Sequence, residues 1–297
     1  MKLFLFLVLG LVLGASGFGL QLPSFAPTLQ QIAACGFLFV AGLELSFKKV
    51  SVQMKPALIL SAGSFLLPFV MGLCLAGFVL PENTFKSALF FAIALSVSAL
   101  PVIIQYLQEI KLYNTPVGSL IVASATICDI IVWVAFTFLL ETKTQEAWLN
   151  SHVPVFCFFI GLAIADLRQI TDKMRHGIFA ISKYVFAPIF FIGIGWKIKM
   201  TEHFHWQQAL TILVIATVGK FVGSYVASGF LKMDRPSRIL VSFSLNARGA
   251  MEILLASTAL QQGLIDETLF TSLIALALIT SLILGPLTST TAARSRQ

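Results

Sequence analysis

One carboxylate stands in the middle of a long apolar stretch. Asp129 has about a dozen mostly apolar or small residues on either side, a setting in which an ionised group costs several kcal/mol by membrane-insertion scales and is there for a purpose. A carboxylate so placed can hold a proton or a monovalent cation, but not both at once. Lys220 is the counterpart in a later apolar stretch, and its ammonium is the natural partner of a buried carboxylate. The alternative is a static ion pair that only fixes helix packing, although buried pairs are weak sources of stability. Ser96 and Ser98 sit just before Pro101, and Asn246 sits just before Arg248 and Gly249. In both places a chain that is otherwise helical meets residues that interrupt it, and the hydroxyl and amide oxygens there are hard ligands for a cation. Cys128 adds a neutral thiol beside Asp129. Arg248 and Glu252 are four apart, hence on one helix face, and read as a structural ion pair or gate. Glu44 closes the second apolar run, where it either lines a path or rests at the membrane interface.

The elements that must hold these residues are transmembrane helices. Of 297 residues, 58% are hydrophobic and 11% charged, and the mean hydropathy is +0.92; soluble domains carry roughly 25% charged residues. Apolar runs fall at roughly 3–20, 28–47, 56–80, 85–110, 116–140, 152–166, 178–198, 207–230, 238–260 and 267–286, each bounded by polar residues and most long enough to span a bilayer. The net charge of +7 is spread over short connections and forms no basic stripe with interleaved aromatics, which argues against nucleic acid. The cysteines lie in apolar runs with no Cys-x-x-Cys pair, and His203 with His205 lacks a third ligand, so neither a cofactor nor a resident metal is expected.

The two halves resemble each other at an offset of about 150 residues: Phe37–Leu45 lies over Phe190–Ile198, and Ala94–Val102 over Ser244–Glu252. Five spans per copy make the second copy enter the membrane inverted, so the expected fold is an all-α membrane protein, a five-plus-five inverted repeat in which two broken helices cross near the midplane. The first repeat covers 1–140, with scaffold helices in 1–50 and core helices in 56–140; the second covers 141–297, with scaffold helices in 150–200 and core helices in 207–290. The N-terminal stretch has the charge and length of a secretory signal, but the repeat requires it as a span, and it is expected to be retained.

With these residues in place, the chain resembles the cation:proton antiporter-2 family of Kef-type and Nap-type exchangers along nearly its whole length. The resemblance rests on Gly42–Leu45, on Ala94–Ala99, on Ala125–Asp129, on Ala187–Gly193, on Gly219–Lys220, and on Leu245–Glu252 with its Arg-Gly-x-x-Glu pattern. It implies an elevator-type antiporter, shortened to a ten-helix core, in which the core helices slide against a scaffold that forms a homodimer. Family members usually have twelve or thirteen helices, and they carry Asp or Asn where this chain has Cys128. The implied function is exchange of a monovalent cation, Na+ or K+, for protons in the bacterial-type plasma membrane, without enzymatic chemistry. Two rivals are a sodium-coupled organic-anion symporter of similar architecture and a non-transporting membrane sensor descended from an antiporter.

Orientation follows from Lys and Arg in alternate connections. Thirteen lie on one side, from Lys2 and Lys48 to Arg294 and Arg296, and four on the other, namely Lys86, Lys143, Lys197 and Lys199. Both termini are therefore expected in the cytoplasm. Reporter fusions after residue 297 check this: a cytoplasm-active reporter should score, and a periplasm-active one should not.

Overall fold

The structure, a computed structural model, describes residues 2–14, 16–21, 23–44, 53–80, 84–140, 145–165, 172–199 and 204–294. His203, the loop lysines Lys48, Lys49 and Lys143, and the side chain of Glu44 lie outside the described residues. Among the described residues the secondary structure is helical throughout. In chain order the helices are α1 (Lys2–Leu13), α2 (Ala26–Glu44), α3 (Met54–Val79), α4 (Phe85–Ser96), α5 (Leu100–Glu109), α6 (Pro116–Leu139), α7 (Gln145–Ile164), α8 (Asp172–Ile181), α9 (Ala187–Lys197), α10 (Trp206–Phe230), α11 (Arg235–Leu245), α12 (Ala250–Gln261) and α13 (Glu267–Arg294). The ten apolar runs map onto these in order, with α4 and α5 sharing the fourth, α8 and α9 the seventh, and α11 and α12 the ninth. Six helical stretches meet the length and hydropathy of a membrane span, and shorter apolar helices at His152–Ile164 and Glu267–Ser281 add to them. The chain is a multi-pass integral membrane protein.

Some boundaries differ from the sequence reading. α1 stops at Leu13, where Gly14 and Gly17 begin a turn, so the apolar residues up to Leu20 form a cap rather than more helix. The helix that opens the second half starts at Gln145, ahead of its apolar run, because helix propensity carries through polar residues that hydropathy does not register. Between α8 and α9 the chain makes a π turn over Ser182–Phe186. Pro188 follows it and offers no amide to the Tyr184 carbonyl, so the widened turn accommodates the missing bond.

The chain divides into two compact units, 1–47 with 140–204 and 48–139 with 205–297. In the first unit α1 packs on α9, and α2 on both α7 and α9. In lipid there is no hydrophobic gain from helix association, so close backbone approach through small residues has to supply it. A Cβ on Gly42 would lie 2.1 Å from Phe158 O, and one on Gly161 would lie 2.0 Å from Phe39 O. Phe37 fills the remaining space, stacked on Phe190 at 6.2 Å and edge-on to Phe191 at 6.1 Å. Trp196 Nε1 donates to Leu20 O at 2.7 Å and closes one end of this unit.

The second unit holds α3–α6 and α10–α13. α3 and α10 approach through Gly63 and Gly223, where a Cβ on Gly223 would meet Gly63 O at 2.1 Å. α10 also presents a ridge of exposed apolar side chains four apart: Leu210, Val214, Val218, Val222, Val226 and Phe230. α11 begins at a cap in which Asp234 accepts from the Ser237 amide at 3.2 Å, and hydrogen bonds from the Ser237 hydroxyl and amide hold its carboxyl below the ordinary value. That contribution to the start of α11 is present above the ordinary carboxylate range and is lost as pH falls through the lowered value. Arg238, one turn later, donates to Tyr225 O and lies 3.9 Å over the Tyr225 ring, clasping α11 to α10.

The glycine contacts give a direct test. Gly42→Ala and Gly161→Ala should each lower the thermal midpoint in detergent measurably, by roughly 2 kcal/mol or more of stability, because overpacking against backbone has no flexible neighbour to yield. Gly177→Ala meets nothing within 4 Å and should leave the midpoint unchanged or slightly raised.

Candidate functional site

Both breaks lie in the second unit. α4 ends at Ser96, residues 97–99 run extended, and α5 restarts with Pro101 in its first turn. α11 ends at Leu245 and α12 restarts after Gly249. The two breaks meet: Ala99 N donates to Ala247 O at 2.8 Å, and Ser98 Oγ donates to Leu245 O at 3.1 Å. Each interruption therefore pairs with the other where it would otherwise leave backbone groups bare in a non-aqueous interior.

The end of α4 needs more. The last carbonyls of a helix lack intrahelical donors, and the helix dipole puts about half a negative charge there. Four consecutive carbonyls at this end are met by two buried cationic side chains. Arg248 Nη1 donates to Ala94 O at 3.0 Å, and Nη2 donates to Leu95 O. Lys220 Nζ donates to Ser96 O and, at 2.9 Å, to Val97 O. Both side chains are fully buried. Arg248 Nη1 also pairs with Glu252 Oε1 at 3.0 Å, and Ser281 Oγ donates to the Arg248 carbonyl. Arg248 and Glu252 thus stitch the second break to the first.

The expected direct pair between Lys220 and Asp129 is not formed. The ammonium is taken up by the Ser96 and Val97 carbonyls, which have no other strong donor, although Asp129 still lies within reach of its charge. Asp129 is 2% exposed, and its Oδ2 has no hydrogen-bond partner. Ser96 Oγ donates to Phe65 O at 3.1 Å and Ala92 O at 2.9 Å, so this hydroxyl pins α4 to α3. Cys128 Sγ contacts Ser61 O at 3.7 Å. Asn246 Nδ2 donates to Thr217 O at 3.0 Å and leaves Oδ1 without a partner.

The end of α11 contrasts with that of α4. Its final carbonyls receive backbone amides and the Ser98 hydroxyl, and among the described residues no cationic side chain donates to them. One helix end is thus permanently neutralised by Lys220 and Arg248, while the other presents a negative dipole end, with the bare Asn246 Oδ1 beside it. Two residues absent from the sequence reading belong to this region: Thr217, whose carbonyl orients Asn246, and Ser64, whose hydroxyl lies beside the Cys128 thiol. Thr217 stands three residues before Lys220 on the same helix side, and that spacing was the available signal.

Removing either cap should show first in stability. Lys220→Met leaves the Ser96 and Val97 carbonyls unsatisfied, at about 1–3 kcal/mol each. Arg248→Met should cost more, because it also strips two carbonyls, Ala94 and Leu95, and in addition leaves Glu252 buried and unpaired, a loss of about 3–5 kcal/mol by itself. Thermal unfolding in detergent, followed by circular dichroism, should rank wild type above Lys220→Met and Lys220→Met above Arg248→Met.

The profile of the sodium/hydrogen exchanger transmembrane family matches residues 2–157 and 146–294 of this chain. The Na(+)/H(+) antiporter NhaS4 of Synechocystis sp. is 24% identical over 362 aligned residues, covering 95% of this chain and 88% of that protein. The Na(+)/H(+) antiporter of Enterococcus hirae is 22% identical and covers 93% and 88%. Among solved structures, that of the sodium proton antiporter MjNhaP1 from Methanocaldococcus jannaschii at pH 8 shares the fold, with a TM-score of 0.66 at 13% identity over 98% of this chain and 92% of that one. The chain belongs to the sodium/hydrogen exchanger transmembrane family.

Proposed function

We propose that the protein exchanges a monovalent cation, Na+ or K+, for protons, and that Asp129 carries each in turn. The observation that bears most weight is a buried carboxylate with an unpartnered oxygen, in the unit where one broken helix end is neutralised by resident cations and the other is not. A cation bound at Asp129 meets a negative dipole end at α11, and a proton at Asp129 removes the charge that attracts it. One carboxylate cannot hold both loads, and this gives exchange rather than co-transport. The names of the relatives, Na(+)/H(+) antiporters, support the same reading.

In this scheme Lys220 does not shuttle. It holds the α4 carbonyls, and it tunes Asp129 by charge alone. Ser96 and Ser98 keep the first break in register, and Asn246 with Asp129 faces the cation. Cys128 is a neutral neighbour of Asp129 that adds no second acid, so exchange is one for one and electroneutral. The inverted repeat, with scaffold helices in the first unit and core helices in the second, supplies the alternation: the core moves as a body and exposes Asp129 to each side in turn. Both termini lie in the cytoplasm of a plasma membrane, and the scaffold forms a homodimer.

The test is exchange by purified protein in liposomes, with a pH-sensitive dye inside and Na+, K+ or Li+ offered separately. Asp129→Asn should abolish cation-driven proton movement and still elute as a monodisperse folded protein. The wild-type rate should not respond to an imposed membrane potential. Wild-type exchange by Asp129→Asn would sink the mechanism, a strong potential dependence would sink the stoichiometry, and a requirement for an organic anion would favour a symporter.

A further inference from the structure

We infer that Thr217 is a ligand of the transported cation, its hydroxyl oxygen joining Asn246 Oδ1 and the Asp129 carboxylate. This rests on the exchange reading above and adds a residue to its site. On a membrane helix a serine or threonine hydroxyl has an easy resting place, the carbonyl three or four residues back. α10 uses it repeatedly: Thr211 Oγ1 donates to Gln207 O at 2.8 Å, Ser224 Oγ to Lys220 O at 2.8 Å, and Ser228 Oγ to Tyr225 O at 2.9 Å. The same habit holds on α6, the helix that carries Asp129, at Ser124, Thr126 and Thr137. Thr217 departs from it. Its Oγ1 is buried and has no hydrogen-bond partner, although the Leu213 carbonyl stands four residues behind it.

The carbonyl of Thr217 is engaged as well. It accepts Asn246 Nδ2 at 3.0 Å, and because a carbonyl can only accept, this bond fixes the orientation of the Asn246 amide and leaves Oδ1 unpartnered. Two unpartnered oxygens therefore stand on residues linked by that bond, one of them Asn246, the residue that closes α11. Lys220, three residues on, lies within charge reach of Asp129, whose Oδ2 is the third bare oxygen. One carboxylate oxygen and two neutral oxygens, all without hydrogen-bond partners, are hard ligands of the kind that suit a monovalent cation that has shed its water. Thr217 supplies a neutral ligand, so it changes how tightly the cation binds and not whether a proton can replace it.

The experiment compares Thr217→Val, which keeps the shape and removes the oxygen, with Thr217→Ser, which keeps the oxygen. In the liposome assay Thr217→Val should raise the KM for Na+ or K+ about tenfold with the maximal rate little changed, and Thr217→Ser should stay within about threefold of wild type. Cation-dependent thermal stabilisation in detergent should weaken in parallel for the valine variant only. If Thr217→Val fails to fold, Thr217→Ala takes its place against the same serine control. A wild-type KM in the variant lacking the oxygen overturns the inference, and so does equal impairment of the serine variant, which would mean packing. Asp129→Asn run alongside separates the two levels. If it is inactive while Thr217→Val is normal, only the ligand assignment falls; if it exchanges normally, the exchange reading falls and this assignment with it.

Discussion

The second unit depends on how the truncated end of α4 is satisfied. Four carbonyls in a row, Ala94 to Val97, belong to buried residues, and they are met by one guanidinium and one ammonium, both without solvent exposure. Neither partner tolerates the interior alone. A bare helix end of this kind would close up into continuous helix or admit solvent, and a buried Lys or Arg without acceptors would lose its charge or draw water in. Each makes the other affordable, and the break persists because both are present. Arg248 belongs to the second break and Lys220 to α10, so three elements are fixed by one set of bonds.

That arrangement also makes the two breaks electrically unlike: the α4 end carries two resident cationic side chains, and among the described residues no cationic side chain donates to the α11 end. The repeat is broken chemically where it is kept geometrically: Arg248 reaches across to the α4 end and leaves the α11 end to backbone amides and the Ser98 hydroxyl. The sequence offset places Ala94–Val102 over Ser244–Glu252, and within that overlay the charged residues occur in only one copy.

Much of this was legible from residue order. Apolar runs located the helices, Pro101 and Gly249 located the interruptions, and the isolation of Asp129 made it stand out, because burial of charge is costly enough to leave a mark on any membrane sequence. Partner choice was not legible. Opposite charges suggested that Lys220 pairs with Asp129, yet backbone carbonyls leave no trace in a sequence, and two of them, at Ser96 and Val97, take the ammonium instead. Thr217 was easily passed over for a related reason: threonine is common in such helices, its spacing from Lys220 is a weak signal, and the missing back-bond shows only in the structure. The start of α7 was missed because hydropathy does not register a helix that begins in polar residues.

The glycine contacts and the apolar ridge of α10 imply an uneven tolerance to genetic change. At Gly42, Gly161 and Gly223 backbone carbonyls sit within about 2 Å of where a first side-chain carbon would be, and every missense change of a glycine codon adds that carbon. Leu210, Val214, Val218, Val222 and Val226 are exposed along α10 and are not locked against a close-packed neighbour, so codons there can drift among aliphatic residues at almost no cost. A protein built this way can diverge widely in overall identity while a few positions in its helix seams admit no drift at all.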